Sequence, residues 1–391
     1  MGVLRVPKVQ IALQWGILIM CLKTSFLQSA IIPYKDVFDI IFTVMSVVCF
    51  VISIVQERFS IKTLLLYGIV TLVSLFSVLK TGNYGFLITI IVCLAIRGQY
   101  LDKIFTLIFK LQFFFFVVHT CIAVLLFILG NLSLVLLING VDRYCFGFRH
   151  PNSFSIYLFN LLILWTWLNY EKIKIKHIFG IFFVALVAMY FTKTRTSFII
   201  TIFFCMLLLV SKTKYSFKNL MNIIAKFIVP ICAGVTLFFV KLILSGNIFA
   251  MSINTLLTGR IKLGAYGVSH FGYSLFGQDI TKYNVVWDSE WGLNGFTFDN
   301  LYTYLAVNQG LVWIGMLSGL FYLLAKKGDL KISVFIIIWA LYGITEVHGL
   351  NGFNCFPIFL VALLFRSGKP VFKRGEQVEK ARAGIYSHSC I

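Results

Sequence analysis

VFDIIFTVMSVVCFVISIV, residues Val37–Val55, holds a single charged side chain, Asp39, and no proline. It matches the ~20 consecutive apolar residues that a helix needs to cross a bilayer. Comparable runs flank it at Val9–Ile32 and Ile61–Leu79 and recur along the chain. Of the 391 residues, 60% are hydrophobic and only 12% charged, with a mean hydropathy of +0.93. A soluble protein of this size has no way to hide that much apolar surface, so the bilayer is the solvent. Runs this long and unalternated are helices rather than strands of a barrel. The expected fold is all-α, a polytopic membrane bundle.

Working outward from that stretch, the apolar runs predict about 12 transmembrane helices. After the three already named come Tyr84–Ile96, Gln112–Leu129, Ser153–Leu168, Ile178–Phe191, Thr196–Val210 and Leu220–Leu244. Leu301–Leu324, Ile332–Thr345 and Val347–Phe365 complete the set. The stretch Ile104–Ile138 is too long for one span and too short for two, so one crossing is expected, with Leu132–Ile138 at the interface. Arg5 and Lys8 precede the first run as in a signal peptide, but no clear small-residue cleavage site follows. An uncleaved first span is the reading. Residues 1–365 then form the membrane domain and 366–391 a basic cytoplasmic tail.

Charge tests the layout. Alternate loops counted from the N-terminus carry roughly 23 of the 34 Lys and Arg, so both termini are expected in the cytoplasm. The net charge of +20 is scattered between apolar runs without a contiguous basic face, which argues against nucleic acid as a partner. The nine cysteines show no C-x-x-C and no ligand-like Cys/His spacing, so neither a metal site nor a disulfide framework is expected.

Arg149, Arg195 and Arg260 fall on the disfavoured, outer side, and a bound anion is the most economical reason. GFRHPN at 147–152 places Pro151 in a helix's first turn, with Arg149, His150 and Asn152 around its N-terminus, a good phosphate site. The alternative is plain interfacial capping. TKTRTS at 192–197 offers Lys193, Arg195 and four hydroxyls; the alternative is snorkelling to lipid headgroups. LTGR at 257–260 adds Arg260, whose fork suits phosphate. Asp299 and Asn300 precede the tenth span, where a carboxylate serves either as a helix cap or as a general base. Glu346 and His348 sit in the last hairpin turn beside Asn351 and Asn354; a role in chemistry competes there with a Glu–Arg pair that merely holds the arginines. The largest non-helical stretch, Ser245–Phe298, is expected outside the membrane between spans nine and ten. Its Trp287 and Trp291, near Asp288 and Glu290, suit a sugar's apolar faces and hydroxyls, or else form an interfacial aromatic belt.

Taken in order, GFRHPN (147–152), TKTRTS (192–197), LTGRI (257–261) and DNLYTYLAVNQGLVWIG (299–315), on a many-span chain with a large outer loop, resemble the O-antigen polymerase/ligase superfamily. The motifs are short and degenerate, while the architecture covers most of the chain. The resemblance implies glycosyl transfer on the outer face of the bacterial cytoplasmic membrane, from a polyprenyl-pyrophosphate-linked oligosaccharide to a lipid-linked repeat unit. It implies Arg149, Arg195, Arg260 and Lys193 as the pyrophosphate grip. Asp299, His150, Glu346 and His348 are the candidates for proton transfer, and Asn152, Asn300, Trp287 and Trp291 further substrate contacts. Membrane lipids are expected partners, as are a chain-length regulator and a flippase of the same pathway. In such ligases the site before the tenth span typically reads His-Asn; here it reads Asp299-Asn300, which favours a polymerase. No cofactor and no metal are expected, since no D-x-D-like metal–nucleotide site is present. A ligase, or a transporter for the same lipid-linked sugars, is the rival reading. A transporter predicts charges and broken helices near the bilayer midplane.

Overall fold

The computed structural model of the chain describes residues 10–56, 61–138, 140–213, 215–280, 288, 291 and 296–365. The predicted tail 366–391 lies outside them, as does Trp287.

The chain is almost entirely helical. Its first half runs through α1 (Ile11–Gln28), α2 (Asp36–Val55), α3 (Ile61–Thr81), α4 (Gly85–Ile96) and α5 (Leu101–Ile128). A two-stranded antiparallel hairpin, β1 (Val135–Ile138) and β2 (Val141–Tyr144), then leads to α6 (Pro151–Asn169). Next come α7 (Ile175–Thr192), α8 (Arg195–Ser211) and α9 (Tyr215–Leu244). The chain continues through α10 (Ile248–Leu256), α11 (Arg260–Phe271), α12 (Leu301–Tyr304), α13 (Leu311–Ala325) and α14 (Leu330–Thr345). It ends in two 3₁₀ segments, Val347–Leu350 and Phe356–Leu364.

Among the described residues six helices are long and apolar enough to cross a membrane: α1, α2, α3, α5, α7 and α9. Four more, α4, α8, α13 and α14, are apolar but shorter. The pattern on α2 shows which solvent they face. It buries Thr43, Ser46, Phe50 and Ser53, a seam of mostly small and hydroxyl-bearing residues at three- and four-residue spacing. Val37, Ile40, Val44 and Val48 on its other sides stand exposed. Small polar residues inside and large apolar ones outside is the arrangement of a helix packed in lipid. The protein is membrane-embedded.

The interior lies between α6, α8, α9, α13, α14 and the final 3₁₀ segment. Aromatics fill it: Trp167 packs edge-on to Phe335 with ring centroids 5.1 Å apart, and Phe356 meets Phe335 at 5.4 Å.

Leu132–Ile138, expected at the interface, is in large part a strand, β1, which the turn at Gly140 returns as β2. Three sequence expectations need correction. Ser245–Phe298 is not a non-helical stretch: Asn247 caps α10 by accepting from the Ala250 N–H at 3.1 Å, and α11 follows one turn later. Leu301–Leu324 is broken. α12 passes into a π-helical turn, Leu305–Gln309, and stops at Gly310, where φ is +108°. Residues 274–278 insert at that break: Ser274 N–H donates to the Ala306 carbonyl, and the Leu311 and Val312 N–H groups donate to the Ser274 and Leu275 carbonyls at 2.8 and 3.1 Å. A side chain at Gly310 would lie 2.6 Å from the Leu275 carbonyl oxygen, so the insertion requires glycine.

Val347–Phe365 is likewise no continuous helix. Asn160 and Gln112, both buried, take up backbone groups freed by the turn between the two 3₁₀ segments. Gln112 Nε2 donates to the Phe353 carbonyl at 2.6 Å, Asn160 Nδ2 donates to the same oxygen at 2.9 Å, and Asn160 Oδ1 accepts from Phe356 N–H at 3.1 Å. Irregular backbone at such a place persists only where side chains pair it.

Candidate functional site

The sequence motifs gather at one end of the bundle. GFRHPN is sewn to the end of α1: Ala30 N–H donates to the Gly147 carbonyl, Arg149 N–H to Gln28, and Arg149 Nε to the Ser29 carbonyl at 3.0 Å. Gly147 (φ +82°) is needed here, because a Cβ would meet that of Ala123 at 2.6 Å. α6 starts at Pro151 as predicted, and His150 is its cap, with Nδ1 accepting from Asn152 N–H at 3.2 Å. This engages one ring nitrogen of His150 locally; among the described residues the exposed Arg149 side chain hydrogen-bonds only through Nε.

TKTRTS forms the turn between α7 and α8. Thr192, Thr194 and Ser155 make a buried hydroxyl triangle, with Thr194 2.7 Å from Thr192 and 2.6 Å from Ser155. Lys193 takes a left-handed conformation (φ 55°) and lies over the Tyr190 ring, 4.6 Å from its centroid. Arg195 opens α8 exposed, with no hydrogen bond or ion pair among the described residues.

Arg260 is the meeting point. Buried at the start of α11, its guanidinium donates to Glu346 Oε1 at 3.0 Å and to Thr196 Oγ1 at 3.3 Å. Its Nε has no hydrogen bond, and Asp299 Oδ2 lies 3.9 Å away. One side chain thereby joins three of the motifs and the last hairpin turn. Burial pushes the Glu346 carboxyl up to about 7, with Arg260 opposing and Asp299 reinforcing the rise. Desolvation and Arg143 lower the pKa of His150, against the pull of Asp299. Asp299 also acts electrostatically on His348, so it stands central to all the proton-transfer candidates.

The capping reading of Asp299 is corrected. Asn300 is the cap of α12: its Oδ1 accepts from Tyr302 and Thr303 N–H at 2.8 and 3.0 Å, and its Nδ2 donates to the Ile344 carbonyl at 2.6 Å. Asn300 thus anchors the helix start to the end of α14. Asp299, its side chain 37% exposed, faces Arg260 at 3.9 Å instead of capping the helix. Trp291 sits apart, edge-on to Tyr266 at 5.5 Å and close to His270, its backbone N–H donating to Asp288 Oδ1 at 3.1 Å.

Beside this cluster opens a cavity of about 1170 Å³, lined by Lys23, Asn83, Tyr84, Arg149, His348 and Asn354 among others. A cleft of about 150 Å³, almost wholly apolar, runs along the other side of α1 between Phe26, Phe115 and Phe148. The structure brings Arg149 and His348 to the large cavity, and half-exposed Asp299 together with buried Arg260 and Glu346 into one cluster. Arg195 and Lys193 line neither cavity. Sequence reasoning passed over Lys23 and Asp39. Their signal was present: an ionisable residue inside each of two consecutive apolar runs. Comparison of the chain with protein-family models, with curated proteins and with solved structures finds no match in any of the three.

Proposed function

We propose that this protein is a polysaccharide polymerase, which transfers a glycan from polyprenyl pyrophosphate to a hydroxyl of a lipid-linked repeat unit. In this reading the chain crosses the bacterial cytoplasmic membrane twelve times with both termini inside. The cavity end then faces outward. The observation that carries the reading is Arg260, whose contacts unite TKTRTS, LTGRI and Asp299-Asn300 across 64 and 39 residues of sequence. Short motifs that meet through one guanidinium are better explained by a shared site than by chance.

The acceptor hydroxyl attacks the anomeric carbon, the bond to the pyrophosphate oxygen breaks, and polyprenyl pyrophosphate leaves with the electron pair. Charge builds on the leaving oxygen and on an oxocarbenium-like sugar. Arg149 and Arg195 bind and neutralise the pyrophosphate. Asp299, poised by Arg260, takes the proton from the hydroxyl, with His150 and His348 as neighbours. Glu346, tied to Arg260, holds that guanidinium in place. The apolar cleft beside α1 suits the lipid tail. The pyrophosphate linkage drives the step, so no nucleotide sugar is needed, and without a D-x-D-like site metal independence is expected.

Purified protein in proteoliposomes should lengthen polyprenyl-pyrophosphate oligosaccharides without nucleotide sugar or divalent ion, read as a ladder of products. Absence of longer product with both substrates present would sink the proposal. A second reading, a flippase for the same lipid-linked sugars, is favoured by the helix broken at Gly310. Passage of labelled lipid-linked oligosaccharide across the vesicle membrane with no lengthening is its signature. A ligase would instead move the glycan to a different acceptor.

A further inference from the structure

We infer that Lys23 and Arg149 together form a binding site for an oxyanion of the substrate, a phosphate or a carboxylate, inside the large cavity. Lys23 sits in a helix apolar enough to span the membrane, where a cation needs compensation. Asp39 on α2 supplies it, with Oδ2 3.0 Å from Lys23 Nζ, and Thr43 Oγ1 accepts from the same ammonium at 2.6 Å. An ammonium has three N–H bonds. Two have these partners, the third has none among the described residues, and Lys23 lines the cavity.

Asp39 is shared. Tyr34 donates to its Oδ1 at 3.2 Å and Tyr84 to its Oδ2 at 3.5 Å, so three donors draw on one carboxylate. Asp39 is itself not on the cavity wall, whereas Lys23, Tyr84 and Arg149 are. Arg149 is anchored at Ser29, six residues along α1 from Lys23, which places its anchor about 9 Å from Lys23 along the helix axis. Both side chains are long enough to converge on a ligand between these levels. The cavity therefore presents two cations, Lys23 from α1 and Arg149 from the segment before α6, with Asn83 and Tyr84 as neutral donors and the Asp279 carboxylate also on its wall. A lone structural ion pair has no need of cavity access.

In naming the anion as part of the substrate the inference rests on the proposed reaction, but its test does not. Full-length protein in lipid nanodiscs is titrated calorimetrically with inorganic pyrophosphate and, separately, with glucuronate. Wild type is expected to bind at least one. Preference for pyrophosphate identifies the lipid-linked phosphate as the source, and preference for glucuronate an acidic sugar. Lys23→Met combined with Asp39→Asn keeps the pair neutral and should weaken binding at least ten-fold, whereas Lys23→Arg should retain it. Arg149→Gln, at an exposed position, should also weaken binding ten-fold, and serves even if the double variant does not fold. Wild type that binds neither probe, a folded double variant that binds as wild type, or an unaffected Arg149→Gln would each overturn the site. Binding without chain lengthening would leave the site standing and remove the polymerase reading.

Discussion

Two buried ion pairs with the same 3.0 Å N–O separation serve this protein differently. Arg260–Glu346 is closed, with side chains 6% and 7% exposed, and ties the start of α11 to the end of α14. Lys23–Asp39 is open, with side chains 11% and 24% exposed, and its lysine lies on the wall of the 1170 Å³ cavity. Distance alone does not distinguish them; the surroundings do. A closed pair is bound to its partner by the cost of leaving either charge bare, whereas an open one keeps a donor for a ligand.

Glu346→Ala should break that comparison most severely. It leaves Arg260 buried with Asp299 at 3.9 Å as its nearest countercharge, and a loss of about 3 kcal/mol is expected in thermal or denaturant unfolding. Asn300→Ala removes the cap of α12 and unpairs the Ile344 carbonyl, for a loss of about 2 kcal/mol. Asp39→Ala should cost only about 1 kcal/mol, because the open pair has the cavity to rehydrate the lysine. A cost for Asp39→Ala equal to that for Glu346→Ala would erase the distinction.

The closed pair also carries a pH signature. Burial raises the Glu346 carboxyl from an ordinary 4.5 to about 7, so the folded state holds its proton more tightly than the unfolded chain. The stability this contributes is fully present below about pH 4.5 and lost as pH rises through about 7. Melting temperatures of wild type, each taken relative to Glu346→Gln at the same pH, should therefore fall between pH 5 and 8. A flat difference would show that Arg260 offsets the desolvation fully. The smallest stability effect belongs to Arg195→Lys: the melting temperature should not move, since Arg195 is exposed with no hydrogen bond or ion pair among the described residues. Chain lengthening should nevertheless drop at least ten-fold as the bidentate fork is lost. Polymer of wild-type length from that variant would remove Arg195 from the site.

Much of the local structure was legible. GFRHPN announced a helix start at Pro151 because proline suits the first turn, whereas the structure showed His150 to be its cap. The break at Gly310 was not legible. Asn308-Gln309-Gly310 sits inside an apolar run, and the break exists because residues 274–278, some thirty positions upstream, pair with the freed backbone. The choice between Asp299 and Asn300 as cap was equally hidden, since either side chain caps well and only the Ile344 carbonyl beside Asn300 decided it.

By itself, the order of residues determined that this chain is helical and lives in lipid, because uninterrupted apolar runs leave the backbone only itself to bond with. It also showed which stretches carry unusual cations. Only the tertiary structure decided how each cation is neutralised, Arg260 against Glu346 in a closed interior and Lys23 against Asp39 beside an open cavity. Charge compensation depends on what lies within a few ångströms in space, and those partners are up to 86 residues away along the chain.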